Sequence, residues 1–379
     1  MTKTLWVILI IGIILRIVLS SITFHPDSLA FKLGGELVAS GKILNLYDFS
    51  DPNVAVLNYP PAIYWFHGIF HFLLAGFLSP NLYVKLPYLI FDLLTAFVLL
   101  KLLPDKKKAS FAFTAWIFNP INLYASYMMG QFDIIPTFFT ILSIYLLSKN
   151  KLEWSAVSLG FGIAFKLYPV FLLIPLMLLG KNYLDKLKLF LLGMTPYLLS
   201  ILVYLPSHSF RSVALFAAQS SKSLYAAIPV SGGESILLFP AALIIFYLVV
   251  YEKKIDELAI WKIYSIPLLL FFILTHYHPQ WLIWITPFLI ISLTLEMKKT
   301  ILPVVLIFVS WFMSLFFFDP SLTIGIFAPV FPFLQNAQSL WIYLHLSPDY
   351  NLSRSLIQTV FASVSMYLIY EYFPWHSHE

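Results

Sequence analysis

The 379-residue chain contains no cysteine. This absence excludes disulfide bonds, thiolate metal sites and a cysteine nucleophile, although it does not identify the redox compartment. Charged residues are also scarce, at 11% of the chain, whereas soluble domains carry about 25%. The formal net charge is only +5, and the basic residues cluster at the ends of apolar runs. This pattern indicates membrane orientation and does not indicate a nucleic-acid partner.

Hydrophobic residues make up 60% of the chain, and several apolar runs exceed the roughly 18 residues that mark a transmembrane helix. The sequence predicts an all-α integral membrane protein, with residues 1–379 forming one polytopic domain of about 10–13 transmembrane helices. The first apolar run, Leu5–Ile22, follows Lys3 and lacks a small-x-small cleavage site, so we expect an uncleaved anchor. The two halves share no motif, which disfavours an inverted-repeat transporter.

Basic clusters between the apolar runs set the predicted topology, because the positive-inside rule places them all in the cytoplasm. The clusters are Lys106–Lys108, Lys149 with Lys151, Lys181 with Lys186 and Lys188, Lys253 with Lys254, and Lys298 with Lys299. The chain must then cross the membrane an even number of times between any two clusters. Both termini are therefore predicted to be cytoplasmic. Residues 1–205 would form a catalytic module with the external loop 23–82, and residues 206–379 would add helices with external loops 206–233 and 319–351.

Two apolar stretches are constrained by this parity. Pro61–Leu78 is predicted to dip into the outer leaflet or to lie in its interface, which gives the first external loop short interfacial helices. Ser155–Leu179 is predicted to make two short arms, with the polar break Phe165–Pro169 at their tip. About 12 residues per arm span roughly 18 Å, less than the ~30 Å core. Lys166 would then lie at the base of a cavity open to the outer face.

The polar residues that fall on this outer face include two carboxylates that are candidates for chemistry. Asp27 follows the end of the first helix, and a partly desolvated carboxylate there is suited to accept a proton from a sugar hydroxyl. The alternative is that Asp27 caps a short helix beginning at Ser28. Asp133 begins a returning helix, so it either caps that helix or lines the site. Gln131 adds an amide suited to a sugar hydroxyl or a carboxylate.

The cations on the same face are suited to an anionic ligand. A charge at membrane depth costs at least ~2.5–3.5 kcal/mol, so Lys166 is a candidate phosphate ligand, with snorkelling or a structural ion pair as alternatives. His276 and His278 have no carboxylate nearby, which favours hydrogen bonding to phosphate over metal binding. Arg211 either clamps the same phosphate or is an ordinary interfacial arginine.

Other charged residues are assigned different roles. Asp48 and Asp51 have the spacing D-x-x-D, which gives no support to a divalent-metal site, so no cofactor is predicted. Arg16 and Asp92 lie at similar depth in their helices, counted from the outer ends, and we predict a structural ion pair between them.

Several short motifs occur in a fixed order along the chain, up to about Leu295. They are Asp27 after the first helix, Leu46–Asp48, Tyr59–Pro61, Phe91–Phe97, Phe118–Pro120, Gly130–Asp133, Phe165–Pro169 and His278–Trp281. In this ordered set the chain resembles the GT-C superfamily of polyprenyl-phosphate-sugar-dependent glycosyltransferases. The most similar members are the ER mannosyl- and glucosyltransferases of GPI-anchor and N-glycan assembly, with their prokaryotic counterparts.

The resemblance implies roles for these residues. Asp27 is similar to the catalytic base of the superfamily, and Lys166 and His278 are similar to groups that face the lipid phosphate. The D-x-D motif of some members is absent, which argues against a metal requirement. The predicted donor-binding set is Lys166, His278, His276, Arg211, Gln131, Asp133, Tyr168 and Tyr59.

The resulting prediction is an inverting hexosyltransferase of the prokaryotic plasma membrane or the ER. It would move mannose or glucose from a polyprenyl-phosphate donor to a glycan, lipid-linked glycan or protein acceptor on the extracytoplasmic face. The phosphate is already a good leaving group, so the site needs cations for the developing charge and one base for the acceptor. A transporter or lipid flippase is the main alternative, and it would distribute charges through the membrane core. A non-catalytic membrane subunit and a glycan polymerase or ligase of another fold are further alternatives.

Overall fold

The computed structural model describes residues 2–49, 56–253 and 259–373, and of residues 218–220 it describes the backbone only. These parts of the chain are mostly helical, which confirms the predicted all-α membrane fold. The helices are α1 Lys3–Ile22, α2 Asp27–Ala39, α3 Pro61–Leu74, α4 Pro80–Lys85, α5 Tyr88–Leu102, α6 Lys106–Ile117, α7 Pro120–Asn122, α8 Ile134–Leu147, α9 Leu152–Phe165, α10 Val170–Leu178, α11 Tyr183–Ile201, α12 Leu238–Glu252, α13 Ile260–Leu274, α14 Thr286–Leu315, α15 Leu340–Tyr343 and α16 Tyr350–Tyr372.

Shorter helical turns fill the connections, and one hairpin departs from the all-helical pattern. The turns include the π-helical segments Leu123–Met128 and Phe210–Leu215 and the 3₁₀ segments Ala218–Leu224 and Pro279–Trp284. The hairpin pairs the antiparallel strands β1, Ala227–Ser231, and β2, Glu234–Leu237, and sequence analysis did not predict it. Strand β1 lies within the loop 206–233 that was expected to be external, whereas β2 lies beyond it, and α12 begins only at Leu238.

Four helical segments of the described chain are long and apolar enough to cross a membrane: Lys3–Ile22, Pro80–Leu102, Tyr183–Tyr204 and Tyr350–Tyr372. Four shorter apolar helices accompany them: Ile134–Leu147, Leu152–Phe165, Leu238–Glu252 and Ile260–Leu274. Helices α8 and α13 are buried on nearly every side and lie at the centre of the bundle.

Helices α9 and α10 form the predicted pair of short arms. The chain leaves helical geometry at Lys166, whose φ and ψ are −156° and 137°, and re-enters it at Val170. At the other end, residues 150–153 and 179–181 line one cleft, so the two arms return to the same level. The tip at residues 166–169 is therefore confirmed.

The chain also reverses within α14, at Glu296, whose φ and ψ of −130° and 37° are not helical. Trp311 Nε1 donates to the Pro279 carbonyl at 3.1 Å, so the second half of α14 runs back past the start of the first half. This geometry agrees with the predicted topology, in which the basic cluster of Lys298 and Lys299 lies between two crossings of the membrane.

Helices α2 and α3 pack tightly against each other within the first long loop. A Cβ at Gly68 would lie 2.4 Å from Val38 Cγ1, and one at Gly35 would lie 3.0 Å from the His67 backbone, so both positions require glycine. Helix α3 has 14 residues and is about 21 Å long. That α3 stays in the outer leaflet remains a prediction.

Four of the five basic clusters meet in pairs at the helix ends, and Lys254 of the fifth lies outside the described residues. Lys107 and Lys108 line one cleft with Lys298 and Lys299. A second cleft is lined by Lys151, Lys181 and Lys188. This grouping is what the parity argument requires, while the side of the membrane that these ends face stays a prediction.

Arg16 and Asp92 form the predicted ion pair, with Nε and Oδ2 2.6 Å apart and both side chains fully buried. Asp92 also accepts hydrogen bonds from Trp116, Asn122 and Tyr127 at 2.6–2.8 Å. The network ties α1, α5 and α6 to the turn that follows them, so its role is structural.

Candidate active site

Asp27 is the first residue of α2, so the prediction that it caps a helix beginning at Ser28 is wrong. Its carboxylate instead accepts a hydrogen bond from Gln131 Nε2, with 2.7 Å between Nε2 and Oδ2. The Asp27 side chain is 42% exposed, so the remaining lone pairs are open to a substrate. This is the position that a general base needs.

His25 lies beside Asp27 and was not identified from the sequence. Its Nδ1 accepts a hydrogen bond from the Asp27 backbone N–H at 3.2 Å and lies 3.7 Å from Asp27 Oδ2. Burial lowers the pKa of His25 more than the neighbouring Asp27 charge raises it. The ring is therefore neutral near pH 7 and leaves the Asp27 charge uncompensated.

The turn before α8 carries two of the predicted residues toward different partners. Gly130 adopts φ +70°, which a side chain would disfavour, and this turn presents Gln131 toward Asp27. Asp133 occupies the N-cap position of α8, but its side chain makes no capping hydrogen bond. Its Oδ1 accepts from Lys166 Nζ at 2.6 Å and from Trp284 Nε1 at 2.5 Å. The structural ion pair, an alternative for Lys166, is thus present.

Aromatic rings enclose the Lys166 ammonium group. Its Nζ lies 5.1–5.5 Å from the ring centroids of Tyr59, Phe132, Trp281 and Trp284, distances at which a cation interacts with ring faces. The lysine is only 9% exposed. It lies at the tip of the α9–α10 arms, as predicted.

A cavity of about 290 Å³ opens beside this group. Its wall includes residues 58–60 from the first loop, 166–171 from the α9–α10 tip, and Trp281 and Trp284. The loop between α11 and α12 contributes Ala214, Ala217 and Lys222. Segments far apart in the chain therefore build one mostly apolar cavity with cations in its wall.

Lys222 is a cation that sequence analysis missed. Its Nζ lies 3.2 Å from His278 Nε2 and 6.0 Å from the Trp281 ring centroid, on the same indole that Lys166 approaches. Nothing in the sequence distinguishes Lys222 from other loop lysines. Only the folded chain places it beside the cavity.

The two lysines differ in charge balance. Lys166 is paired with Asp133, so together they contribute no net charge. Lys222 has no carboxylate partner among residues 2–49, 56–253 and 259–373. The net positive charge of the cavity wall therefore comes from Lys222.

His278 and His276 lie next to Lys222, with their ring centroids 5.6 Å apart. Burial, Lys222 and further cations lower the pKa of His278 to about 4. The imidazole is therefore neutral near pH 7 and accepts a hydrogen bond from the Lys222 ammonium group. Burial and Lys222 also lower the pKa of the exposed His276.

The remaining predicted residues occupy different positions. Tyr59 and Tyr168 line the cavity, and Tyr168 stacks on Trp284 with 4.2 Å between centroids. Arg211 is not in the cavity wall, because its Nη1 donates to the carbonyl oxygens of Leu205 and Pro206 at 2.6 and 2.8 Å. The structure thus does not bring Arg211 to the site, and its phosphate role stays a prediction. Asp48 accepts from Ser207, and Asp51 lies outside the described residues.

This arrangement combines a partly exposed carboxylate with a cationic cavity. Asp27 is close enough to Lys166 and Tyr59 for its charge to act on both. The site can accept a proton at one side and hold an anionic group with an apolar tail at the other.

A protein-family model matches one part of the chain. The family Mannosyltransferase (PIG-M) matches residues 127–219, a segment that contains Gln131, Asp133 and Lys166. GPI mannosyltransferase 1 of Kluyveromyces lactis is 29% identical over 136 residues, which cover 32% of this chain and 34% of that protein. The Candida albicans protein of the same name is 30% identical over 127 residues, covering 31% and 28%. The Dictyostelium discoideum protein is 23% identical over 195 residues, covering 47% and 41%.

Each of these alignments spans less than half the length of the relative. The structural likeness extends much further along the chain. The crystal structure of ArnT from Cupriavidus metallidurans bound to undecaprenyl phosphate matches 97% of this chain and 78% of its own, with a TM-score of 0.56 and 13% identity. These findings confirm the resemblance in the sequence: the chain has the fold of the GT-C superfamily of glycosyltransferases.

Proposed function

We propose that this protein is an inverting mannosyltransferase that uses a polyprenyl-phosphate mannose. The acceptor is a glycan, a lipid-linked glycan or a protein, and the site faces away from the cytoplasm. The observation that carries the proposal is the partly exposed Asp27 carboxylate near an apolar cavity whose wall holds Lys222 and Lys166, the second of which is paired with Asp133. The matches to GPI mannosyltransferase 1 favour mannose over glucose.

Asp27 acts as the general base. Gln131 orients one carboxylate oxygen, and the exposed lone pairs accept the proton of the acceptor hydroxyl as it attacks the anomeric carbon. The bond from the acceptor oxygen to the anomeric carbon forms while the bond from that carbon to the phosphate oxygen breaks. A single displacement of this kind inverts the anomeric configuration, unlike the two-step chemistry of a retaining enzyme.

The leaving group is a polyprenyl phosphate, which gains negative charge as the bond breaks. Lys222 provides the uncompensated positive charge, and Lys166 adds a second ammonium group whose own charge Asp133 balances. Cations that are already in place where negative charge develops lower the activation free energy substantially. The indoles and phenols of the wall, including Trp281 and Tyr168, offer apolar surface to the sugar or to the first isoprene units.

Transfer by purified protein from a panel of polyprenyl-phosphate sugars tests the proposal, with Asp27→Asn beside the wild type. Asn keeps the shape and the bond to Gln131 but cannot accept the proton, so transfer should fall by about 10²–10⁴-fold. Glu36→Gln is the matched control, because Glu36 lies on the same helix and pairs with the neighbouring Lys32 at 2.8 Å. Full activity of Asp27→Asn would exclude this base.

A further inference from the structure

The cavity of about 290 Å³ beside Lys166 is called the donor cavity below. A second cavity, of about 790 Å³, adjoins it. It is lined by residues 225–226, by the end of α13 and the residues after it, 273–277, by Ser314 and Phe318, and by one face of α16. The α16 side chains in its wall are Asn351, Arg354, Ser355, Ile357, Gln358 and Thr359. Neither the sequence motifs nor the proposed chemistry makes use of this cavity.

The same two segments of the chain contribute to the walls of both cavities. Lys222 and Phe271 line the donor cavity, whereas Tyr225 and Ile273, a few residues further along the same two segments, line the second. His278 contacts Lys222, and His276 lines the second cavity with its ring 5.6 Å from that of His278. A molecule in the second cavity therefore lies next to the phosphate-binding cations.

The second cavity also approaches the proposed base. Phe318 lines it, and the next residue, Asp319, lies close enough to His25 for its charge to act on that ring. His25 in turn contacts Asp27. Phe318, Asp319 and His25 thus connect the second cavity to the segment that carries Asp27. This connection suits a site for the acceptor, whose hydroxyl proton Asp27 would accept.

Arg354 is the charged side chain of this cavity. Its guanidinium stacks over the Phe318 ring, with 4.6 Å between Cζ and the ring centroid. It has no carboxylate partner within the described part of the chain, and no Asp or Glu lines the cavity. A stacked guanidinium keeps its N–H donors in one plane, a geometry that matches an oxyanion.

The other polar groups of the wall are uncharged. Asn351, Ser355 and Thr359 recur at intervals of four on α16, so they form one hydrogen-bonding stripe beside Arg354. Amide and hydroxyl groups of this kind suit sugar hydroxyls. The chemistry of the wall is therefore that of a carbohydrate with one negative charge.

We propose that the second cavity binds the acceptor, and that this acceptor is a sugar bearing an oxyanion, which Arg354 holds. The assignment of the ligand as the acceptor rests on the proposed transferase function. The presence of an anionic-sugar site does not. A neutral sugar would leave the guanidinium without a partner in a partly enclosed cavity, so the charge is a specificity determinant.

Binding of glucose and glucose 6-phosphate to purified full-length protein in nanodiscs tests the site without requiring transfer. Glucose 6-phosphate should bind at least about tenfold more tightly, the size expected from one charge-assisted hydrogen-bond set. Arg354→Gln should abolish this preference and Arg354→Lys should retain part of it. Lys188→Gln is the matched control, since that exposed lysine pairs with Glu153 and lines neither cavity.

Further ligands distinguish a site for a sugar phosphate from a site for a sugar carboxylate or for inorganic phosphate. Glucuronate binding in place of glucose 6-phosphate would assign a carboxylate sugar and support the site. Inorganic phosphate that binds as tightly as the sugar phosphate would overturn the proposal, because it would show an anion site with no sugar recognition. Loss of binding in Lys222→Gln with full binding in Arg354→Gln would also overturn it, by placing the ligand in the donor cavity. If phosphate preference depends on Arg354 while no donor supports transfer, the site stands and the proposed function fails.

Discussion

Two buried ion pairs of this protein have the same length and different surroundings. Arg16–Asp92 and Lys166–Asp133 are both joined at 2.6 Å. Asp92 accepts hydrogen bonds at both carboxylate oxygens, from Trp116, Asn122 and Tyr127 as well as Arg16. Asp133 accepts twice at Oδ1, whereas its Oδ2 has no partner within the described chain.

The difference indicates which pair is available for chemistry. Both oxygens of Asp92 are used within the bundle core, so this pair fixes helix positions and offers no carboxylate oxygen to a substrate, although Arg16 Nη2 has no partner in the described chain. In the second pair, Lys166 borders a cavity and the buried Asp133 retains one oxygen without a partner in the described chain. Burial of a charge alone therefore does not identify a functional residue, and the place of Lys166 in a cavity wall is what separates the two pairs.

The largest effect is expected from breaking the Arg16–Asp92 ion pair. Arg16→Met leaves Asp92 buried without a cation, which costs about 3–5 kcal/mol of stability. The variant should accumulate poorly and unfold at a much lower temperature in detergent. Lys299→Met, which breaks an exposed pair with Glu371 at 3.1 Å, is the control and should change little. A wild-type unfolding temperature for Arg16→Met would show that this network is not structural.

Lys166→Met should separate activity from stability. Trp284 still donates to Asp133 in this variant, and the neighbouring cavity can admit water, so the loss of stability should be smaller than for Arg16→Met. Transfer should fall by about 10²–10³-fold, because an ammonium group near the leaving phosphate is lost. Rates and unfolding temperatures measured on the same preparations give the comparison. Equal losses of stability in the two variants would remove the distinction between the pairs.

Lys222→Gln should weaken binding of the donor without destabilising the fold. Lys222 is half-buried in a loop and has no carboxylate partner in the described residues, so its removal leaves no buried charge. The KM for the polyprenyl-phosphate sugar should rise about tenfold, the value of one charge-assisted contact. Lys222→Arg, which keeps the charge, should recover most of this loss. An unchanged donor KM in Lys222→Gln would return the main phosphate role to Lys166.

The smallest effect is expected on the pH dependence of stability. Because the folded-state pKa of His278 is about 4, below the value near 6.5 of an unfolded chain, the unfolded state binds more protons between these values. The contribution of His278 to stability is therefore fully present above pH 6.5 and declines as the pH falls toward 4. Removing the Lys222 charge raises this pKa, so Lys222→Gln should show a smaller decline. Unfolding temperatures from pH 4.5 to 7.5 measure it, and parallel curves for the two proteins would contradict the coupling.

Much of the site could be predicted from sequence because the relevant signals are local. Lys166 interrupts apolar surroundings, where a charged group is costly and therefore conspicuous. Asp27 and His278 were identified from the ordered set of motifs in which the chain resembles the GT-C superfamily. The Arg16–Asp92 pair followed from helix rise, since two residues at equal depth in neighbouring helices are able to meet. The tip at residues 166–169 followed from charge parity and arm length.

Other parts were not predictable for equally physical reasons. Lys222, His25 and Arg354 lie in or next to loops, where a charged or polar side chain carries no penalty and gives no signal. The hairpin β1–β2 was missed because its two strands, nine residues together, are short compared with the apolar helices around them. The capping prediction for Asp27 was wrong because a partner 104 positions away, Gln131, binds the carboxylate.

The sequence by itself determined the membrane class, the helical fold and the residues whose charge is costly in an apolar chain. These properties depend on composition and on spacing along one helix, which the order of residues specifies. Only the tertiary structure decided which charges compensate one another: Asp133 balances Lys166, while Lys222 and Arg354 lack carboxylate partners among the described residues. Charge compensation depends on distances between segments far apart in the chain, and those distances exist only once the helices have packed.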